Sequence, residues 1–247
     1  MNNQEWYIDA FDEWYPIVYQ HRDEKEAWEQ VEFVFSELNL QYNHKILDLC
    51  CGYGRHINFL SSKISFVVGF DLSLYLLKKA RHFLSDKISL VRGDVRYLPF
   101  YPESFDVVLN FFTSFGYFDE DKENIRQLEQ VSFVLRNKGT FFFDYLNPLQ
   151  VEKITNIKTE KTYHSYIIKE NRFYDKSNRE LKKEVSIYLN NQVKKTYTEK
   201  VKVYSFDEIS RIFLSQNLHI QKIYGNYNKE SYTEESTRLI IIGEKNE

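Results

Sequence analysis

Ile46-Leu47-Asp48-Leu49 is an apolar run carrying a single acid, and it passes directly into Cys50-Cys51-Gly52-Tyr53-Gly54 before a helical pattern opens at Arg55. A strand that ends in a glycine turn and a helix leaves few folds open. The glycines supply positive φ and let the backbone approach a neighbour where a Cβ would clash. Scarcity sharpens the signal: only eight glycines occur in 247 residues, and Gly52, Gly54, Gly69, Gly93, Gly116 and Gly139 all fall at strand-to-turn junctions of the first half. In so glycine-poor a chain, each of these answers a backbone demand.

The alternation continues along the chain. Ala27, Val31, Val34, Phe35 and Leu38 recur at three- and four-residue spacing, which predicts an amphipathic helix over 24–38. Strands are expected at 45–49, 66–70, 88–92, 105–111 and 139–145, and helices at 55–62, 73–85 and 120–136. Runs such as Phe66-Val67-Val68 and Phe141-Phe142-Phe143 are apolar throughout, as in strands covered by helices on both faces. The expected class is therefore α/β, with a doubly wound, mostly parallel sheet and a ligand outside the carboxyl ends of its strands.

Residues 151–204 change character. Val185, Ile187 and Leu189, then Val201 and Val203, alternate with polar residues at period two, which predicts a small antiparallel β insert with one solvated face. The segment is also basic, with 13 Lys and Arg against 7 Asp and Glu. A helix at 205–216 and strands near 218–225 and 238–243 then return to the main sheet as an antiparallel closing hairpin, completing seven strands. Residues 1–150 and 205–247 thus form one ligand-binding domain. Its first 40 residues read as a helical lid, because Trp6, Tyr7, Phe11, Trp14, Tyr15 and Tyr19 are too aromatic to stay in water. The insert reads as a substrate lid or a dimer surface, so monomer and homodimer both stay open.

Charge and composition narrow the partners. A formal net charge of −3 gives no global pull toward nucleic acid or an anionic membrane. No stretch approaches the roughly 20 apolar residues that span a bilayer, and the acidic, aromatic N-terminus lacks a basic region followed by an apolar one. The expected compartment is the cytoplasm. Cys50 and Cys51 are the only cysteines. Being adjacent, they neither staple distant segments nor offer metal-ligand spacing, and they read as small residues packed beneath the loop.

Three acids stand at successive strand ends: Asp48, Asp71 in Val68-Gly69-Phe70-Asp71, and Asp94 in Val91-Arg92-Gly93-Asp94. In a parallel sheet those ends share one crevice, so the carboxylates are expected along a single ligand. Asp71 follows the glycine loop by about twenty residues, where an acid accepts from both ribose hydroxyls. Asp94 is then placed for the exocyclic amine of an adenine and Asp48 for an ammonium tail. The expected guest is a nucleoside with a cationic tail. The duller alternative makes all three turn-forming or helix-capping acids.

These residues resemble class I S-adenosylmethionine-dependent methyltransferases of the small-molecule type. The resemblance covers roughly 15–150 and the closing hairpin. It rests on Leu47–Gly54, Gly69-Phe70-Asp71-Leu72-Ser73, Gly93-Asp94-Val95-Arg96-Tyr97-Leu98-Pro99-Phe100, Phe105–Asn110 and Leu135–Thr140. A subgroup with a Tyr-x-His-Arg-Asp opening and a Phe-Thr-Ser-Phe-Gly-Tyr-Phe segment is similar at Tyr19–Asp23 and within Phe111–Phe118. The resemblance implies a Rossmann-like fold and S-adenosyl-L-methionine as cofactor, with S-adenosyl-L-homocysteine as product. It implies cofactor contacts at Tyr19, Arg22, Asp48, Cys50, Gly52, Gly54, Asp71, Leu72, Asp94, Val95, Arg96, Asn110 and Phe111. Where Cys50 and Tyr53 stand, the family usually carries smaller residues.

Methyl transfer from a sulfonium asks a protein mainly to align nucleophile, carbon and sulfur and to exclude water. The resemblance places residues 110–117 beside the reacting atoms, with Phe112, Phe115 and Tyr117 as π faces. His21, Tyr117 and Asp144 are the candidate catalytic residues. His21 has a pKa suited to taking a proton, Arg22 suits a cofactor carboxylate, and Asp144 ends the fifth strand on the active edge. Plainer readings compete: His21 and Arg22 as solvated helix-start residues, His56 as a packing or capping residue, and Asp144, Tyr145 and Asn147 as structural hydrogen bonders. The expected reaction is methylation of a small-molecule N, O or C acceptor. The rivals are an RNA or protein methyltransferase docking through the basic insert and a non-catalytic cofactor-binding regulator. The segment Asn110-Phe111-Phe112-Thr113 is not of the Asn-Pro-Pro-Tyr type used on exocyclic base amines, which argues against a nucleic-acid partner.

Overall fold

The computed structural model describes residues 5–246, so residues 1–4 of the expected lid and the last residue of the expected domain lie outside the described residues. Seven strands form the central sheet: β1 Lys45–Leu49, β2 Phe66–Asp71, β3 Ser89–Arg92, β4 Phe105–Asn110, β5 Leu135–Leu146, β10 Leu218–Tyr224 and β11 Arg238–Lys245. Their order is β10-β11-β5-β4-β1-β2-β3. Pairs among β1 to β5 are parallel, and β11 runs antiparallel to both β5 and β10. The doubly wound sheet with a closing hairpin expected above is the fold observed. Strand order reverses between β1 and β4, which opens the crevice at the carboxyl ends of those two strands.

The run Phe141-Phe142-Phe143 shows why these strands are apolar throughout. Phe141 and Phe143 pack with Val131 and Phe213 on one face, while Phe142 packs with Val31, Phe33 and Ile57 on the other. Period-two alternation sends neighbours to opposite faces, and helices cover both. Burying each such ring contributes about 1.5–3 kcal/mol. On the second face lie α3 Glu24–Leu38, α4 Arg55–Leu60 and α5 Leu74–Arg81, and on the first α6 Asp121–Val134 and α7 Phe206–Ser215. Asp23 caps α3 by accepting from the Glu26 amide, and Ser205 and Glu208 close a capping box at α7. One boundary departs from expectation: Leu135 pairs with Phe105, so β5 begins where the sequence reads as the end of a helix.

The insert is a second sheet, β6 Ile157–Tyr163, β7 Tyr166–Asp175, β8 Glu180–Leu189 and β9 Gln192–Lys202, antiparallel in chain order. Its buried face carries Ile168, Val185 and Ile187 against Val18. The first segment of the chain forms two short helices, α1 Trp6–Ala10 and α2 Tyr15–Val18, between this sheet and the crevice. The insert's basic residues are mostly paired at home: Lys183 with Glu199, Lys182 with Asp175 and Glu180, Arg172 with Glu170, Arg179 with Asp121 and Glu208, and Lys195 with Asp12. The end of β9 docks on the loop after β4, where the Lys202 amide donates to the Gly116 carbonyl at 2.7 Å.

Candidate active site

After β1 the backbone turns through three left-handed residues, Cys50 at φ +60°, Gly52 at +57° and Gly54 at +80°. The two glycines serve different ends. A Cβ at Gly52 would find only ordinary contact, Leu76 Cδ1 at 3.9 Å, so the glycine is there for φ and leaves bare backbone facing the crevice. A Cβ at Gly54 would lie 2.7 Å from Leu84 Cδ1 and 3.4 Å from Ala80 Cβ, so this glycine, besides its positive φ, lets the start of α4 pack against α5 and the turn that follows it. Gly54 itself does not line the cavity. Cys50 occupies a conformation that favours glycine, which accounts for the smaller residue usual there.

The three acids part company. Asp71 lies on the cavity wall, with Oδ2 accepting from the Gly52 amide at 2.8 Å and Oδ1 from the Ser73 amide at 2.8 Å. It thereby ties the glycine turn to the end of β2. Asp48 is 1% exposed and lies off the wall, and its Oδ2 has no hydrogen-bond partner. Burial, then the charge of Asp71, pushes its carboxyl well above the usual range. Asp94 reaches the wall but is gripped by Arg96, whose side chain approaches to 2.6 Å. Arg96 also pairs with Glu123 at 2.6 Å, so it positions Asp94 and does not itself line the cavity. Asn110 is fully buried, off the wall, with its Oδ1 unpartnered. These two acceptors lie behind the wall; the feature that fits a nucleoside is the bare Gly52 backbone beside the Asp71 carboxylate, both on the cavity wall.

One cavity of about 1060 Å³, its mouth included, runs from this loop to the insert. Tyr7, Phe11, Tyr15, Tyr19 and Arg22 cross it from the N-terminal segment, and Leu72, Val95, Phe111 and Tyr117 line it from the main domain. The Trp6 indole donates to the Tyr117 carbonyl at 3.2 Å, and the Phe11 ring stacks on Tyr117 with centroids 5.9 Å apart. Arg22 lies 4.1 Å from the Tyr19 ring centroid and 4.5 Å from that of Phe112, and donates to the Tyr15 hydroxyl at 3.0 Å. Burial holds the Tyr117 phenol well above its ordinary pKa, so it offers a neutral hydroxyl and a π face.

Two expected catalytic residues stand elsewhere. His21 is exposed beside the Tyr19 ring and does not line the cavity, since the turn before α3 points it outward. Asp144 is buried behind the wall as an anchor. It accepts from the Phe112 amide at 2.9 Å, the Tyr227 hydroxyl at 2.8 Å and Arg238 Nε at 2.7 Å, while its carbonyl accepts from the Thr113 amide. Phe112 and Thr113 are both left-handed, at φ +56° and +55°. Asp144 holds that strained turn in place. The sequence reading missed Glu199, which reaches the same cavity from β9.

His56 also lines the cavity, stacked on Phe111 at 3.9 Å with Nε2 at 2.9 Å from Gln30 Oε1. Burial, then the Arg55 and Arg22 charges, push its pKa well below the ordinary value. It is a neutral ring at neutral pH. Because the unfolded chain takes up that proton more readily, the contribution of His56 to stability is full above about pH 6.5 and falls as pH drops below it, by at most about 1.4 kcal/mol per pH unit. Urea melts of the wild type and His56→Gln at pH 7.5 and 5.5 are expected to show the smaller acid loss in the variant. Equal losses would remove His56 as the cause.

Residues 46–139 match the model of the methyltransferase domain family. Over 108 residues the chain is 37% identical to the phthiotriol/phenolphthiotriol dimycocerosates methyltransferase of Mycobacterium tuberculosis, which covers 42% of this chain and 38% of that one. The chain thus matches less than half the length of that curated relative. Its fold is similar to that of an S-adenosylmethionine-dependent methyltransferase from Clostridium acetobutylicum, with a TM-score of 0.80 at 17% identity over 95% of this chain and 96% of that one. It is also similar to the sugar N-methyltransferase KedS8 from Streptoalloteichus, with a TM-score of 0.73 at 16% identity over 100% and 98%. The match to the methyltransferase domain model thus spans the glycine loop and the first four strands, and along nearly its whole length the chain shares the fold of S-adenosylmethionine-dependent methyltransferases.

Proposed function

We propose that this protein transfers a methyl group from S-adenosylmethionine to a small-molecule acceptor. The observation that carries the reading is the aromatic-walled cavity reaching from Gly52 and Asp71 to Glu199, lined also by Tyr7, Phe11, Tyr15, Tyr19 and Arg22. When bound, the cofactor supplies an electrophilic methyl carbon on a cationic sulfur. Asp71 would hold its ribose and Asp94 its adenine. Arg22 is placed for its carboxylate. The rings of Phe11, Phe112 and Tyr117 exclude water and face positive charge, contacts worth about 0.5–2 kcal/mol each. With His56 neutral and off the acid range and Tyr117 held protonated, positioning carries the rate.

The names of two matched proteins, a sugar N-methyltransferase and a phthiotriol/phenolphthiotriol dimycocerosates methyltransferase, support a small acceptor without choosing its atom. Pairing of the insert's cations within the protein speaks against an RNA docking face. Incubating the protein with methyl-labelled S-adenosylmethionine and fractionated cell extract is expected to place label in low-molecular-weight material. Label confined to RNA or protein would overturn the acceptor class, and no transfer from any fraction would favour a cofactor-binding regulator.

A further inference from the structure

Glu199 belongs to β9, on the strand face that meets the N-terminal segment, and its carboxylate is divided. Oε2 accepts from the Tyr19 hydroxyl at 2.6 Å and lies 2.9 Å from the Lys183 ammonium. Lys183 is itself buried, with Glu170 at 3.8 Å behind it. Oε1 is buried and has no hydrogen-bond partner, although Glu199 lines the cavity. A carboxylate oxygen out of water needs a donor, and leaving it without one is costly. Arg22, the nearest cation of the N-terminal segment on the same wall, is engaged by the Tyr15 hydroxyl and two rings. The missing donor is best supplied by what fills the cavity.

Resting on the methyltransferase reading above, we infer that the acceptor is an amine, received by Glu199 Oε1 at the insert end of the cavity. Two features select nitrogen over oxygen. An aliphatic amine arrives as an ammonium, which suits both the carboxylate and the rings of Phe11, Tyr15 and Tyr117. An aliphatic ammonium lies about six pKa units above a carboxylate, so it passes its proton only transiently, as the N–C bond forms, while an aliphatic alcohol is a far weaker acid still. The ammonium gives one proton to Glu199. Its freed lone pair forms the N–C bond as the bond from that carbon to sulfur breaks, the electron pair staying on sulfur as a neutral thioether. The N-methylammonium product leaves, and Glu199 returns its proton to solvent. Tyr197, two residues along the same strand face, also has a buried hydroxyl without a partner, and a water joining it to Glu199 is the competing account.

The test uses full-length protein loaded with S-adenosylhomocysteine and titrated calorimetrically with benzylamine, cyclohexylamine and glucosamine, each against its matched alcohol. At least one amine is expected to bind about tenfold or more tighter than its alcohol, about 1.4 kcal/mol. The same amine is expected to carry label on nitrogen when S-adenosylmethionine replaces the product. Glu199→Gln is expected to bring the pair within about twofold while S-adenosylhomocysteine binds as before, and Glu199→Asp to keep part of the preference. Equal binding of every amine and alcohol, or a preference that survives in a folded Glu199→Gln, would overturn the inference in favour of the bridging water. Loss of S-adenosylhomocysteine binding by the wild type would instead overturn the methyltransferase reading, and the acceptor assignment with it.

Discussion

Asp71→Ala is expected to weaken S-adenosylmethionine binding by about 10- to 100-fold, or about 1–3 kcal/mol. Two losses add. The carboxylate that would accept from the ribose hydroxyls disappears, and so do the bonds from the Gly52 and Ser73 amides that hold the glycine turn against β2. Burial raises the Asp71 pKa above the ordinary carboxylate value, and the amides of Ser73, Gly52 and Leu72 oppose part of that rise. Asp71→Asn separates the two losses. It retains one acceptor for the loop but replaces the other with an amide donor, and is expected to fall between Ala and wild type. Calorimetric titration with S-adenosylmethionine checks both, beside thermal melts that report folding. An unchanged dissociation constant in folded Asp71→Ala would remove Asp71 from the site.

Much of this arrangement was legible because it follows from local rules. Apolar runs that continue through both parities, as in Phe141-Phe142-Phe143, demand helices on both faces, and that demand alone yields the doubly wound sheet. A glycine turn after β1 and an acid after β2 then fall in one crevice by topology. Pairings between segments were not legible. Arg96 claims Asp94 from two residues away, and nothing in the spacing of the acids signals it. At Gly54 a motif does not reveal that the close approach a glycine permits includes one to Leu84. His21 and Asp144 depended on side-chain direction, which strand ends and turns leave open. Glu199 was hidden most deeply. Period-two alternation tells which β9 residues share a face, but what that face meets is fixed by how the insert docks.

That docking hangs on Gly116, and Gly116→Ala is expected to destabilise the protein by about 3 kcal/mol. The glycine sits at φ +89°, and a Cβ there would stand 2.5 Å from the Lys202 carbonyl oxygen. The obstacle is backbone, not the tip of a flexible chain. The same carbonyl accepts from the Tyr145 hydroxyl at 2.7 Å, and the Lys202 amide donates to the Gly116 carbonyl, so β9 has little room to retreat. For a chain of this size the loss corresponds to a fall of about 6–12 °C in melting temperature. Gly116→Asn distinguishes the causes, because asparagine tolerates positive φ but carries the same Cβ. If the clash dominates, Asn melts no higher than Ala; if backbone strain dominates, Asn recovers much of the loss. Moving the end of β9 also moves Glu199, three residues earlier, relative to Tyr117, the next residue of the β4 loop. Amine selectivity in Gly116→Ala is therefore expected to fall together with stability. An Ala variant that melts with the wild type would mean that the insert is held to the main domain by something other than this contact.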